Sequence, residues 1–239
     1  MESGSAELGG GGERLSILMP AYNEEATVVQ AVRRVLDADL PVPVELIIVE
    51  NGSTDGTDAA LAAESWPEHV RIIERRPNRG KGDGVRAALA AATGTYTTIL
   101  DADLEYDPAD LRPLLEPLLE GRAEAVIGTR IFQAHSAYGF WYVLGNRAIN
   151  MAANMLYNAW ISDVLNCFKV VPTDVLRSLD LREDGFGIDA EIPAMLLRSG
   201  VRLYEVPVTY RARSREEGKK LAARDGFRIL RTLARCRVR

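Results

Sequence analysis

Asp101, Asp103 and Glu105 stand at alternate positions in LDADLEYDP, with Asp107 two further on, directly after the apolar run TYTTI. Carboxylates set side by side where a buried strand ends repel one another, and an unpaired buried one is costly. A cation has to be close by. On an extended strand Asp101 and Asp103 point the same way, and Glu105 continues that face. Oxygen-only ligands suit a hard divalent ion, Mg2+ or Mn2+, above all one that shares phosphate oxygens with a substrate. Asp107, just before Pro108, reads as a helix-start acid. A cap explains only one such residue, which leaves Asp101 and Asp103 for the metal.

Two more polar segments could do chemistry. ENGSTDGT (50–57) is a turn by composition, but at the end of an apolar strand it also places Glu50 and Asn51 where a ribose or base could be hydrogen-bonded. NRGKGDG (78–84) is neither a dinucleotide fingerprint, since its third glycine comes too early, nor a P-loop. It brings Arg79 and Lys81 on a glycine-rich loop suited to a diphosphate, or else it is a solvated basic loop.

The elements that must hold these segments alternate. Strand-like runs at 15–21, 44–50, 70–75, 95–100 and 123–129 are separated by helical patterns at 24–36, after Thr57, at 83–93 and from Pro108 to about Leu119. Apolar strands interleaved with helices predict a mostly parallel sheet covered on both faces, with ligands bound beyond the carboxyl ends of the strands. AYNE, ENGSTDGT, NRGKGDG and DADLE all fall there. After Arg130 come an aromatic, Asn-rich helical region (139–160), a strand at 166–171, a helix around 189–198 and a last strand at 202–210. No repeat or linker divides the chain. The expected organisation is a leader at 1–13, one domain at 14–210 and a basic segment at 211–239.

Composition narrows the partners. The 239 residues carry a net charge of −5, which argues against nucleic acid as a partner of the whole chain. The charge is uneven: Arg211 to Arg239 holds eleven Lys/Arg against three Asp/Glu, so a strongly basic end follows an acidic body. Arg224, Arg228, Arg231 and Arg235 recur at helical spacing beside an apolar stripe of Phe227, Leu230, Leu233 and Ala234. That pattern predicts either an amphipathic helix at a membrane surface or a helix packed on the domain with a solvated basic face. Two cysteines, Cys167 and Cys236, form no disulfide framework and imply a reducing cytosol. No window is apolar enough to span a bilayer, and the first residues lack signal-peptide order. The expected location is therefore cytoplasmic, peripheral to the cytoplasmic face of a membrane.

Taken in order, PAYNE (20–24), ENGSTDGT, NRGKGDG, DADLEYDP (101–108) and GTR (128–130) resemble the family 2 glycosyltransferases. ISDVLNCFKVV (161–171), EDGFGIDAEI (183–192) and RARSREEGKKL (211–221) resemble its dolichol/polyprenyl-phosphate mannosyltransferase-like branch. The likeness spans about residues 14–235. It implies the GT-A fold, a Rossmann-like α/β three-layer sandwich with a mostly parallel central sheet, ending here in a basic amphipathic helix. It further implies that Pro20, Tyr22 and Glu24 line a nucleotide pocket, with Val49 and Asn51 near base and ribose, beside the Glu50 and Lys81 already read from their loops. Asp101, Ala102 and Asp103 would contact the nucleotide and metal, and Glu105 would complete the coordination. Arg130, Arg213 and one of Lys219 or Lys220 would hold phosphate. The chain departs from the branch in three places: Glu105 stands where Gln is common, ENGS replaces DDGS, and the spacing from Arg213 to the lysines is about one residue longer.

The activity so implied is inverting transfer of a hexose, such as mannose from GDP-mannose, to a polyprenyl or dolichyl phosphate. A phosphate monoester has its second pKa near ~6, so this nucleophile is largely ionised and needs no strong base. Three alternatives stay open: a UDP-sugar donor, a sugar-hydroxyl acceptor served by an acid among Glu183, Asp184, Asp189 and Glu191, and a non-catalytic nucleotide-sugar sensor. A homo-oligomer or a membrane-protein partner is compatible with each.

Overall fold

The computed structural model describes residues 12–131, 140–213 and 223–239. The leader before Gly12, Lys219, Lys220 and the side chain of Arg224 lie outside the described residues.

The elements in chain order are β1 (Leu15–Ala21), α1 (Val28–Leu36), β2 (Val44–Glu50), α2 (Thr57–Ala62), β3 (Val70–Glu74), α3 (Lys81–Ala91) and β4 (Tyr96–Ile99). A 3-10 turn at Pro108–Asp110 leads into α4 (Leu111–Leu119). Then follow β5 (Ala125–Thr129), α5 (Phe140–Tyr157), β6 (Lys169–Pro172), α6 (Thr173–Ser178), α7 (Ile188–Arg198), β7 (Leu203–Pro207) and α8 (Ala223–Val238).

β1 is buried at every position and β2 at all but its first, as expected of strands covered on both faces. The seven strands form one sheet in the order β3-β2-β1-β4-β6-β5-β7, and the outer strands β3 and β7 alternate between inward and exposed residues. All neighbours are parallel except around β6, which runs antiparallel to both β4 and β5. Helices sandwich the sheet, and the core gathers residues such as Ile17, Leu46, Ile48, Leu114 and Phe168, none of them exposed.

Several elements begin or end away from their sequence-based limits for local reasons. The first helix is regular only from Val28, because Glu24–Thr27 forms a turn in which the Glu24 carbonyl accepts from the N–H groups of Thr27 and Val28. α3 opens at Lys81, after Gly80 at φ 112°. A Cβ on Gly82 would lie 2.0 Å from the Glu183 carbonyl oxygen, so glycine lets the 183–185 loop pack on the start of α3. The last strand stops at Pro207, and Tyr210 rejoins the structure through a lone bridge to Tyr106.

α8 departs most from the sequence pattern. It packs on α5 and α7 with Ile229, Thr232, Leu233 and Cys236 inward. Phe227, expected in the apolar stripe, is 80% exposed, beside Arg228 and Arg231 on the outer surface. The inward stripe is thus shifted, because it follows the packing partner rather than the largest apolar residue. No helix among the described residues is long and apolar enough to cross a membrane.

Candidate active site

A cleft of about 410 Å³ opens at the carboxyl ends of the central strands. Pro20, Tyr22, Glu24, Asn51, Lys81, Asp101, Ala102, Asp103, Glu105, Arg130 and Arg213 all line it. Val49 does not, being fully buried in β2. Glu50 does not line it either: its carboxylate accepts from the backbone N–H groups of Gly52 and Ser53 (3.1 and 2.6 Å) and so closes its own turn. Asn51, the next residue, reaches the cleft with its amide against Gly80 and Gly84. Arg79 is exposed.

The acid segment is a turn, which corrects the expectation of an extended face. Pairing with β1 ends with the bond from Leu100 N–H to the Leu18 carbonyl. Leu104 then adopts φ 61°, a left-handed conformation uncommon for a leucine, and Glu105 N–H donates to Asp103 Oδ1 at 3.1 Å. The turn separates the acids. Asp101 faces Lys81, whose Nζ lies 2.8 Å from its Oδ2 and 2.9 Å from Asp189 Oδ2. Burial disfavours the Lys81 ammonium, but Asp101 and Asp189 more than offset that and hold its pKa well above the usual lysine value. Lys81 is therefore anchored between two acids rather than carried on a free loop.

Asp103 and Glu105 face the opposite way, toward Arg213. The Arg213 guanidinium donates to Glu24 Oε2 and Oε1 (3.0 and 3.2 Å) and to Asp103 Oδ2 (3.1 Å), and the Arg213 backbone N–H donates to Glu105 Oε1 at 2.9 Å. Tyr210 Oη–H donates to Glu105 Oε2 at 2.7 Å. Burial, then repulsion from Asp101 and Glu105, push the Asp103 carboxyl up to about 7, and Arg213 offsets them only in part. The turn thus calls for more positive charge than the side chains around it supply.

No three acidic, His or Cys side chains among the described residues converge into a metal cage. The triad of Asp101, Asp103 and Glu105 is accordingly split, with Asp101 bound to Lys81. Two carboxylates are still what Mg2+ commonly takes from a protein, the rest of its octahedron coming from water and substrate phosphate. Asp103 and Glu105 fit that role.

Arg130, at the exit of β5, is held by Asp163 through two bonds of 2.6 Å, and its guanidinium carbon lies 4.8 Å from the centre of the Tyr210 ring. Burial alone would raise the Asp163 carboxyl, yet Arg130 keeps it below its usual value. Neither Asp163 nor Tyr210 was singled out from sequence, since nothing in their spacing marks one as the partner of Arg130 and the other as its platform. Of the four candidate bases only Asp189 lines the cleft. It is 7% exposed, and its Oδ1 is buried without a hydrogen-bond partner, 3.8 Å from Lys169 Nζ. Glu191 is fully buried and accepts from the N–H groups of Arg182 and Glu183; Glu183 binds Thr232 and Arg235; Asp184 binds Arg86.

The site is a strand-end cleft of an α/β protein in which acids and anchored cations stand together, and comparison with known proteins gives the family. Residues 16–179 match the model of glycosyl transferase family 2, and the chain belongs to that family. It is 30% identical over 200 residues to Glycosyltransferase AglJ of Haloferax volcanii, covering 83% of this chain and 63% of that protein. To Dolichol-phosphate mannosyltransferase of Pyrococcus furiosus it is 25% identical over 226 residues, covering 93% of this chain and 63% of that one. The chain therefore spans less than two thirds of the length of these relatives. Among solved structures, glucosyl-3-phosphoglycerate synthase of Mycobacterium tuberculosis, in complex with Mn2+, UDP-glucose and phosphoglyceric acid, superposes with a TM-score of 0.70 at 23% identity, covering 94% of this chain and 80% of that one. That likeness identifies the fold as GT-A.

Proposed function

We propose that the protein is a glycosyltransferase that takes a hexose from a nucleotide sugar and passes it, with inversion, to the phosphate of a polyprenyl or dolichyl lipid, with GDP-mannose as the donor. The observation that carries this reading is the placement of two arginines, Arg130 and Arg213, in the same cleft as the acid turn. One cleft so offers carboxylates for a donor-bound cation and guanidiniums for an acceptor phosphate. The named activity of the Pyrococcus furiosus relative supports the lipid acceptor.

In this mechanism Asp103 and Glu105 would hold Mg2+ or Mn2+, which when bound would supply Lewis-acid stabilisation of the leaving diphosphate. Asn51 and Tyr22, which line the cleft, would face the nucleotide, and Ala102, only 1% exposed and without a long side chain, would let the backbone approach the donor. Lys81 fixes Asp101 and, through Asp189, the start of α7. Arg130, kept rigid by Asp163 and Tyr210, orients the acceptor phosphate, which is already an anion and needs no base. Lys219 or Lys220 would add to this anion site. The lipid tail would leave along the surface of α5, where Phe140, Leu144, Met151 and Met155 are exposed at helical spacing and Trp160 is 82% exposed. The exposed arginines of α8 would face anionic headgroups of the same membrane surface.

A second reading rests on Asp189. It lines the cleft, so it is the acid placed to take a proton from a hydroxyl acceptor, and the Mycobacterium tuberculosis enzyme was crystallised with UDP-glucose. A panel of GDP- and UDP-sugars, offered with short polyprenyl phosphates or with sugar and phosphoglycerate hydroxyls, separates the two. Glycosylated lipid formed from GDP-mannose supports the first; product only with a hydroxyl acceptor overturns it. Tight nucleotide binding without any product points to a sensor.

A further inference from the structure

Arg213 contacts the acid turn in an unusual way. One guanidinium meets Glu24, Asp103 and Glu105, and its side chain is 15% exposed. It takes Asp103 Oδ2, the oxygen of Asp103 not engaged by Glu105 N–H, while its own backbone N–H takes Glu105 Oε1. Its Nε is buried without a hydrogen-bond partner, 3.8 Å from Glu105 Oε1. These are the oxygens that a divalent ion would need. Mg2+ requires oxygen ligands at ~2.0–2.1 Å in near-octahedral array, which a guanidinium on the same oxygens obstructs. Arginine cannot relieve the conflict by losing a proton, because its pKa lies above ~12. It has to move.

We propose that Arg213 is an exchangeable counter-ion of the acid turn: guanidinium and divalent cation are alternative partners of Asp103 and Glu105, and the metal turns Arg213 out toward the anions in the cleft. The position of Arg213 in the chain allows this. The segment is joined to the acid turn by the bond from Arg211 N–H to the Glu105 carbonyl and by the bridge between Tyr106 and Tyr210, not by membership in a strand or helix. Arg213 is then a positioning residue with two effects. It lowers affinity for metal alone, and it presents a guanidinium to phosphate only once the metal has arrived. The inference rests on the metal-binding part of the proposed function and is independent of donor and acceptor.

The test uses Mn2+ alone on the full-length protein. Free Mn2+ measured by electron paramagnetic resonance at pH 8 gives the affinity of the wild type and of Arg213→Met, each checked for fold by circular dichroism. The expected result is tighter binding by the variant, by at least about tenfold, the order set by removing a unit charge a few ångströms from the ion. Equal or weaker binding by the variant, or binding by neither protein, overturns the proposal. An independent readout uses the wild type only. Trypsin must draw the Arg213 side chain into its own pocket to cut after it, so Mn2+ should accelerate cleavage there several-fold relative to exposed sites. Unchanged or slower cleavage overturns the exchange. Failure to transfer sugar to lipid phosphate, with both results intact, would instead reject the acceptor assignment.

Discussion

Two carboxylates, Glu45 and Asp103, sit at opposite ends of the sheet, and their pKa values are shifted in opposite directions. Glu45, at the start of β2 and 4% exposed, accepts from Ser16 Oγ–H at 2.5 Å, from the backbone N–H groups of Thr93 and Gly94, and from Arg71 at 2.7 Å. Burial alone would raise its pKa, yet these donors bring it below 4.5. Asp103, beyond the other end of β4, is pushed up to about 7 by burial and by its acidic neighbours. Burial pushes both upward; what differs is the supply of donors that offsets it. The fold surrounds Glu45 with N–H and O–H groups, whereas it sets Asp103 against other acids with one movable arginine. The first pattern is that of a structural acid, and the second makes Asp103 a candidate for binding a cation.

Asp101 lies between these cases, with Lys81 as its built-in cation. Lys81→Met should have the largest effect, because it leaves Asp101 without its cation and Asp189 with only the more distant Lys169. Breaking a buried pair in this way costs ~3–5 kcal/mol. A fall in chemical denaturation midpoint together with loss of nucleotide binding is the expected outcome. A variant as stable as wild type would place Asp101 with the open acids instead.

Asp103→Asn should separate function from stability. Transfer should fall by roughly two to three orders of magnitude, as for loss of one preorganised electrostatic group. The melting temperature should hold or rise, since a repelled charge has been removed. Glu45→Gln should do the reverse. Gln keeps one oxygen for Ser16, Thr93 and Gly94 but loses the charge and sets an amide NH2 against the Arg71 guanidinium, which costs ~1–3 kcal/mol, and transfer per folded molecule should not change. The pH dependence has a definite sign. Because the folded-state pKa of Glu45 is depressed, its contribution is complete above the ordinary carboxylate value of 4.5 and disappears as pH falls through the lower folded value. Melts of wild type and Glu45→Gln should therefore converge in acid and diverge toward neutrality. Parallel curves would remove the basis of the comparison.

Much of this was legible from residue order, in proportion to how local its cause was. β1 and β2 read as strands because doubly covered strands are continuous apolar runs, and the polar segments following the strands did converge on one cleft. The direction of β6 was not legible. Four residues carry no sign of orientation, and a long α5 connection can return a strand either way. Alternation of Asp101, Asp103 and Glu105 suggested one extended face; the left-handed Leu104 splits them, and nothing in a leucine announces that conformation. Asp163 as the anchor of Arg130 and Glu24 as the clamp of Arg213 are contacts across 33 and 189 residues, set by the assembled sheet rather than by spacing.

The outer face of α8 inverts the situation of the acid turn. Arg228 is 76% exposed at its side chain, with Asp225 as its acid at 3.7 Å, and Arg231 is exposed one turn further on. Here cations outnumber acids, on a surface that also carries Phe227. If the acid turn is completed by a metal ion, this face is completed by an anionic membrane, and the same reasoning predicts a smaller, additive effect. Reversing both charges with Arg228→Glu and Arg231→Glu should weaken sedimentation with phosphatidylserine vesicles by ~1 kcal/mol per arginine or more. Binding to neutral vesicles, already weak, should change little, and the melting temperature should stay near wild type because both side chains point outward. Neither arginine lines the cleft, so transfer to a short, soluble polyprenyl phosphate should be unaffected while transfer to lipid phosphate embedded in anionic vesicles falls. Equal sedimentation of variant and wild type would mean that the basic face of α8 is only solvated, and that the counter-charge argument holds inside the cleft but not on the surface.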